Sequence, residues 1–560
     1  MAFAMFIAAM GCSPASSEKP NVPTAAPAAA DKPAVPEEPT PTPAGEFQGA
    51  PALPPPGALP KLADEAAKPS TDQSPKSTKP DDGKPVFKTR TGKHSGIPFD
   101  PVKENGPIFV DWPKPKAAIV ISGMEDGYIE PCGCAGLDRM KGGMSRRATF
   151  LAELRKQGWP LVVVDAGGIA RGFGRQAEMK FQTLVEGKAK MGYDAIGFGV
   201  NDLKLPAAEL VSVAAGVDGK PSLFVSANVG LFGLDQKITP TSRIVEAGGL
   251  KIGVTAIVGK KYQESLRNPE IEMIDPSIAL KQIVPELAKK ADYLVLLSHA
   301  TKDESIALAR EFPQFNVVVT SNGAETPPAQ AETIPGTKTP LVEVGHKGMD
   351  ILVLGLFDPA AKTVRYQRVP LDSRFAASPA MKSLMAAYQD QVKSVGFAGL
   401  ALRPTPHPLV EANGRFVGSQ KCESCHEESY NVWKKSKHAH AYETLVKLDP
   451  PRNFDPECLS CHVVGWHPTE FFPYVGGYES LQKTPQFINT GCEDCHGPGE
   501  KHATAELGSN EALQKKLRKA MVVTKEESKK RQCMTCHDLD NSPDFDFDVY
   551  YPQIEHHEEK

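Results

Sequence analysis

Eight of the chain's eleven cysteines fall into four pentads: "CESCH" at 422–426, "CLSCH" at 458–462, "CEDCH" at 492–496 and "CMTCH" at 533–537. In each, two thiols stand three positions apart and a histidine follows at once. On one helical turn that spacing puts both sulfurs on one face with the imidazole beside them. Two thiols so placed can form thioethers to the two vinyl groups of one haem, and the imidazole can then bind its iron. A zinc knuckle also uses Cys-x-x-Cys, but it needs no histidine after every pair. The pentads therefore predict four covalently attached c-type haems. They would sit on Cys422 and Cys425, Cys458 and Cys461, Cys492 and Cys495, and Cys533 and Cys536, with His426, His462, His496 and His537 as proximal iron ligands.

The supply of side chains points to the opposite axial ligands. Ten of the fourteen histidines lie after residue 413. Six are not proximal: His438, His440, His467, His502, His556 and His557. Only Met521 and Met534 could offer a thioether there. Distal ligation is expected to be mostly histidine, and the haems low in potential. The stretches "VGSQKCESCHEESYNVWKKSKHAHA", "TGCEDCHGPGEKH" and "CMTCHDLDNSPDFDFDVYYPQIEHH" resemble the tetrahaem cytochrome c family typified by the partner of hydroxylamine oxidoreductase. The resemblance implies His438, His502 and His556 as distal ligands, with His467 in "VVGWHP" a further candidate. It also allows one haem to be five-coordinate, with an open iron site.

A ninth and tenth cysteine stand apart, in "EPCGC": Cys132 and Cys134. No histidine follows them. A disulfide between residues two apart would close a small, strained ring that is easily reduced. Two thiolates could instead hold a soft metal, with Asp126 or His299 completing the shell. The third option is a pair of buried thiols. Arg146 and Arg147, at a helix start, could bind an anion or favour the thiolate, or could simply be solvated charge.

The elements that must position these residues alternate. Apolar, β-branched runs such as "AAIVIS" (117–122), "LVVVD" (161–165), "LFVSA" (223–227), "KIGVTAI" (251–257), "DYLVLLS" (292–298), "FNVVVT" (315–320) and "ILVLGLF" (351–357) suit buried strands. Amphipathic segments such as 146–157 and 277–290 lie between them. The expected class is α/β over 115–370, followed by a bridging helix and linker at 371–412 and a mainly α, sheet-poor multihaem region at 413–560. The order of motifs in 115–370 resembles the metallophosphoesterase domain of UDP-sugar hydrolases and 5'-nucleotidases, which implies a four-layer sandwich. The family's metal ligands are mostly replaced. Met124 and Asp126 stand for an aspartate and a histidine, Gly167-Gly168 for Gly-Asp, Val200 and Asn201 for Asn-His, and "SNGA" (321–324) for Gly-His-x-His. Ser298-His299 remains. A two-metal phosphoesterase needs about six or seven carboxylate and imidazole ligands, so nucleotide hydrolysis is not expected. Pro131–Cys134, Gly142-Gly143 and Arg146-Arg147 also resemble a UDP-sugar-hydrolase-like family with selenoprotein members, which implies redox or soft-nucleophile chemistry at Cys132 and Cys134.

The N-terminus reads "MAFAMFIAAMGCS", which resembles a bacterial lipoprotein signal with Cys12 as the lipidated residue. Residues 1–12 are read as that signal and 13–114 as a tether, since nineteen of the 51 prolines lie between Pro14 and Pro98. The net charge of −4 offers no basic surface, so nucleic acid is not an expected partner. The sequence thus predicts an exported electron-transfer protein of a bacterium, periplasmic or associated with the outer membrane through a lipid anchor, that meets redox partner proteins. The alternatives are a multihaem oxidoreductase acting on a small nitrogen or sulfur compound, and an active nucleotide hydrolase fused to a cytochrome.

Overall fold

Two β-sheets lie face to face because their strands are apolar on both sides. The first has the order Thr363–Pro370, Asp350–Asp358, Ala117–Ser122, Leu161–Asp165, Ala195–Ile196. The second has the order Glu332–Thr333, Pro340–Glu343, Val317–Thr320, Tyr293–His299, Leu250–Val258, Arg243–Ala247. The structure is a computed structural model and describes residues 99–133, 137–215, 221–321, 323–358, 363–538 and 540–556. All belong to one compact unit, Asp81–Lys560. Cys12, Cys134, His557 and residues 1–98 of the expected signal and tether lie outside the described residues.

Alternate residues of each strand serve different layers. Ile119, Ile121, Val162 and Val164 of the first sheet meet Ile252, Val254, Val295 and Val317 of the second. On the outer side of the first sheet, Val120 and Val163 pack under the helices Met144–Lys156, Arg175–Met191 and Pro379–Gly399. On the outer side of the second, Leu294, Leu296 and Val318 pack under Pro276–Lys290 and Lys302–Glu311. The result is helix, sheet, sheet, helix: the expected four-layer α/β sandwich. Each fully buried Val, Leu or Ile side chain contributes about 1.5–3 kcal/mol, so these layers supply most of the stability of this part.

Several boundaries differ from the expectation. The stretch 99–114, placed with the tether, carries a helix at Pro101–Asn105 capped by the Asp100 side chain, and Phe109 and Trp112 pack on the core. The bridging helix belongs to the sandwich, because Met381, Leu384, Met385, Tyr388 and Val392 complete its outer core. The run 223–227 forms a single bridge at Phe224 rather than a strand. Its amides switch from Ile196 in one sheet (Val225 N–H to Ile196 O, 2.9 Å) to Ala256 in the other (Ala227 N–H to Ala256 O, 2.8 Å).

After residue 400 the chain forms short helices and, among the described residues, no strand beyond isolated bridges. Its apolar core is one small cluster around Leu445, Leu459, Val463, Trp466 and Tyr478.

Candidate functional site

The second and third pentads lie wholly on helices, whereas the first starts at the end of one and the fourth starts on a 3-10 turn, with Cys425, His426, Cys536 and His537 just beyond those elements. The elements are Ser419–Glu423, Pro456–His462, Cys492–His496 and the 3-10 turn Cys533–Thr535. Three pentad histidines face another histidine across a gap. The ring centroids of His426 and His502 are 6.1 Å apart, those of His496 and His556 5.8 Å, and those of His537 and His438 5.9 Å. Two nitrogen–metal bonds of about 2 Å, plus about 1.1 Å from each nitrogen to its ring centre, span about 6 Å. The gaps therefore match one iron between two imidazoles.

Four of the pentad and facing rings have their Nδ1 engaged, whereas His502 Nδ1 is buried without a hydrogen-bond partner among the described residues. Nδ1 of His496 lies 2.6 Å from Met521 O, that of His462 2.6 Å from Ala441 O, and that of His556 2.8 Å from Ile554 O. His537 Nδ1 lies 3.0 Å from Ser542 Oγ. A carbonyl acceptor at Nδ1, as for His496, His462 and His556, sets the tautomer that leaves Nε2 for a metal. Burial lowers the basicity of His438, His462 and His496 and takes His537 down to about 4, so these rings are neutral, the form that binds iron. A cavity of about 380 Å³ borders Cys495 and His496, lined also by His407, Val522 and Arg531.

His462 differs. Among the described residues no imidazole stands opposite it at such a distance. His467 turns elsewhere: its ring packs on Phe472 and Tyr474, and its Nδ1 accepts from Glu470 N–H at 3.1 Å. His440 is exposed, 3.7 Å from Glu443.

The pentads also sit near one another. The thiols of Cys422 and Cys492 are in hydrogen-bond contact, as are those of Cys461 and Cys536. Cys495 is an electrostatic neighbour of Cys533 and Cys536. Through these contacts the pentads connect in the order 422, 492, 533, 458.

The loop that carries Cys132 packs against the segment just before the second pentad. Arg452 Nη1 donates to Pro131 O and Cys132 O, both at 3.1 Å, and Cys132 is an electrostatic neighbour of Cys458. Beside it, Tyr128 Oη is buried without a hydrogen-bond partner, and burial raises the Glu130 carboxyl to about 7. The arginines are neither solvated nor open to an anion. Arg146 donates to Met140 O and Leu137 O, and buried Arg147 pairs with Glu125 at 2.5 Å. Further contacts join the same face of the sandwich to the C-terminal region: Arg171 over Phe471, Lys347 and His346 on Asp540, and Arg139 on Asp544 at 2.8 Å.

At the positions where the resemblance places metals, the chain's own atoms fill the space. A Cβ on Gly168 would fall 2.5 Å from Met124 Sδ, and one on Gly199 would overlap the Gly168 backbone. Asp202 accepts from Gly168 N–H, Ala170 N–H and Gly199 N–H at 3.0, 2.7 and 2.7 Å. Ser321 Oγ donates to Ala166 O at 2.9 Å. His299 is buried, which lowers it to about 4, and its Nδ1 has no partner. Among the described residues no three His, Cys, Asp or Glu side chains converge to hold a metal ion.

Residues 421–497 match the family model described as cytochrome c554 and c-prime. The C-terminal region carries a cytochrome c554-family domain. The match spans three pentads, and the fourth lies beyond it. Cytochrome c-554 of Nitrosomonas europaea is 34% identical over 146 residues, covering 22% of this chain and 59% of that protein. The chain thus spans about three fifths of that relative. Among solved structures, a 5'-nucleotidase precursor from Thermus thermophilus is similar at 19% identity with a TM-score of 0.43, covering 50% of this chain and 59% of that one. A sulfate thiohydrolase SoxB from the same species is similar at 15% identity with a TM-score of 0.42, covering 51% and 62%.

Sequence reasoning supplied all these histidines but not their pairing, nor Arg452, nor Asp455, which caps the helix Pro456–His462 and accepts from Gln176 and Gln389 of the sandwich. One signal was available for Asp455: an aspartate directly before a proline, just ahead of a pentad, reads as a helix cap.

Proposed function

We propose that this chain is an exported multihaem c-type cytochrome that transfers electrons, fused to a phosphoesterase-like domain that has lost its hydrolytic metals. The observation that carries the reading is the set of three imidazole pairs held about 6 Å apart, each containing one pentad histidine. Four haems would be attached, at Cys422 and Cys425, Cys458 and Cys461, Cys492 and Cys495, and Cys533 and Cys536. Their axial pairs would be His426 with His502, His496 with His556, and His537 with His438. His462 would hold its iron from one side only. Haem supplies one-electron chemistry at iron. The protein's part is to fix the imidazoles, exclude water and set the spacing, and the contacts between pentads support a series 422, 492, 533, 458.

In this reading the sandwich spans about 99–400 and the haem region follows it. Lipidation at Cys12 would tether the chain outside the cytoplasm, where it meets soluble or membrane redox partners. Cys132, with Cys134 two residues on, is proposed as a thiol redox site that exchanges electrons with the haems. Its support is the place of Cys132 beside Arg452 and Cys458. The packing of Met124 on Gly168 supports the loss of hydrolysis.

A second reading has one specific observation behind it. His462, which no imidazole among the described residues faces, would leave an iron position open for a small nitrogen or sulfur compound, making the protein an oxidoreductase.

The test is a mass measurement on protein matured with its own export and haem-attachment machinery. The proposal predicts four haem additions, and Cys→Ser replacement of both cysteines in any one pentad removes one. Fewer additions in the unaltered protein, or bound zinc at the pentads, would overturn it.

A further inference from the structure

The helix that carries the second pentad is held by the sandwich as well as by its own region. Asp455 caps this helix, Pro456–His462, and is only 4% exposed. Its Oδ1 accepts from Gln176 Nε2 at 2.9 Å and from Glu457 N–H at 3.1 Å. Its Oδ2 accepts from Gln389 Nε2 at 2.8 Å. Gln176 lies on the sandwich helix Arg175–Met191 and Gln389 on Pro379–Gly399. Gln176 is itself held by Tyr388 Oη at 3.0 Å. The partners of Asp455 all donate to it, as suits an ionised carboxylate, and they oppose burial and the neighbouring Glu457, which raise its carboxyl above the ordinary value. One helical turn from Gln176, Lys180 pairs with Glu457 at 2.5 Å. Asp455, Glu457 and Arg452 are all electrostatic neighbours of Cys458.

These contacts fall in seven residues, 452–458, directly before the sulfurs expected to carry the haem. A fixed negative charge beside a haem favours the ferric state, since oxidation adds positive charge to the iron. Burial strengthens that effect, because little water remains to screen it.

We propose that the sandwich is a structural part of the second haem site, with Asp455, clamped by Gln176 and Gln389, as the positioning residue that lowers the potential of the haem on Cys458 and Cys461. Lys180 acts in the opposite sense by neutralising Glu457. The fused domain therefore sets the driving force at one end of the haem series, the end whose proximal histidine has no facing imidazole among the described residues. This inference rests on haem attachment at Cys458 and Cys461.

The experiment is a redox titration of the full-length haem-loaded protein, followed by absorption and paramagnetic resonance. The haem on Cys458 and Cys461 is identified as the signal lost when both cysteines are replaced by serine. Asp455→Asn should shift that midpoint upward, Lys180→Met should shift it downward, and Asp455→Glu should leave it near its original value. The other three midpoints should stay in place, and haem content should be unchanged. If Asp455→Asn fails to mature, Gln176→Leu and Gln389→Leu test the clamp and should move the same midpoint alone. A purely structural role would not give opposite shifts for the two charge variants. Four attached haems with no shift, or with all four midpoints moving together, would overturn this inference and leave the cytochrome reading standing. A missing haem at Cys458 and Cys461 in the unaltered protein would overturn the cytochrome reading itself.

Discussion

The sandwich and the C-terminal region solve the same problem, filling an interior, in opposite ways. The sandwich fills it with its own side chains, in three apolar clusters that run through all four layers. Even its polar interior is closed. Lys188, with no solvent exposure, pairs with Glu125 at 2.8 Å and Asp165 at 2.6 Å, and Arg147 joins Glu125. Among the described residues the C-terminal region gathers nine buried apolar residues in one cluster, buries a few more singly, such as Leu517, Met534 and Phe547, and frames the spaces between with imidazoles and thiols. A region this poor in apolar core needs covalently held groups to be stable. The sandwich does not.

The largest test of this contrast is to withhold haem. Protein made without haem attachment should lose the fold of the C-terminal region while the sandwich keeps its own. Limited proteolysis would show it: fast cleavage after residue 400 and a protected core before it. Equal protection of both regions would remove the contrast. Next in size is Lys188→Met, which leaves Asp165 buried without its cation and Glu125 with Arg147 alone. Breaking a buried ion pair in this way costs about 3–5 kcal/mol, to be read by denaturant unfolding of the sandwich. A loss below about 1 kcal/mol would place the network with ordinary surface pairs.

A smaller effect depends on pH. Burial raises the Glu125 carboxyl, but Lys188 and Arg147 outweigh it and hold the group at about 2, below the ordinary 4.5. A lowered carboxyl adds stability that is fully present above 4.5 and fades as pH falls toward 2. Thermal unfolding of Glu125→Gln should lack the part of the acid destabilisation that the unaltered protein shows in that window. The smallest expected effect is His467→Ala, which should leave the spectrum of every haem unchanged, whereas His438→Ala, His502→Ala and His556→Ala should each convert one.

The two regions were also unequally legible. The pentads are covalent chemistry written in five consecutive residues, so the thiols and proximal histidines stand out at once. The pairing of His537 with His438, 99 positions apart in the numbering, depends on how short helices cross, and no local pattern encodes it. In the sandwich the strand runs were readable because both faces are buried and β-branched. The run 223–227 misled because it bonds to both sheets in turn and extends neither. Arg146 and Arg147 read as an anion-binding or thiolate-activating pair or as solvated charge, since no local pattern reveals that Leu137 O, Met140 O and Glu125 wait inside. The thiols of the Cys132 loop stand out in the sequence, but Arg452, the neighbour of Cys132, lies 320 positions away.

The most direct test of the cytochrome reading is to count spin states by low-temperature paramagnetic resonance of the fully oxidised, haem-loaded protein. Three imidazole pairs and a His462 that no imidazole among the described residues faces predict three low-spin haems and one high-spin haem, the last lost on replacing Cys458 and Cys461. Four low-spin haems, or a high-spin signal that survives that replacement, would contradict the geometry on which the function has been argued.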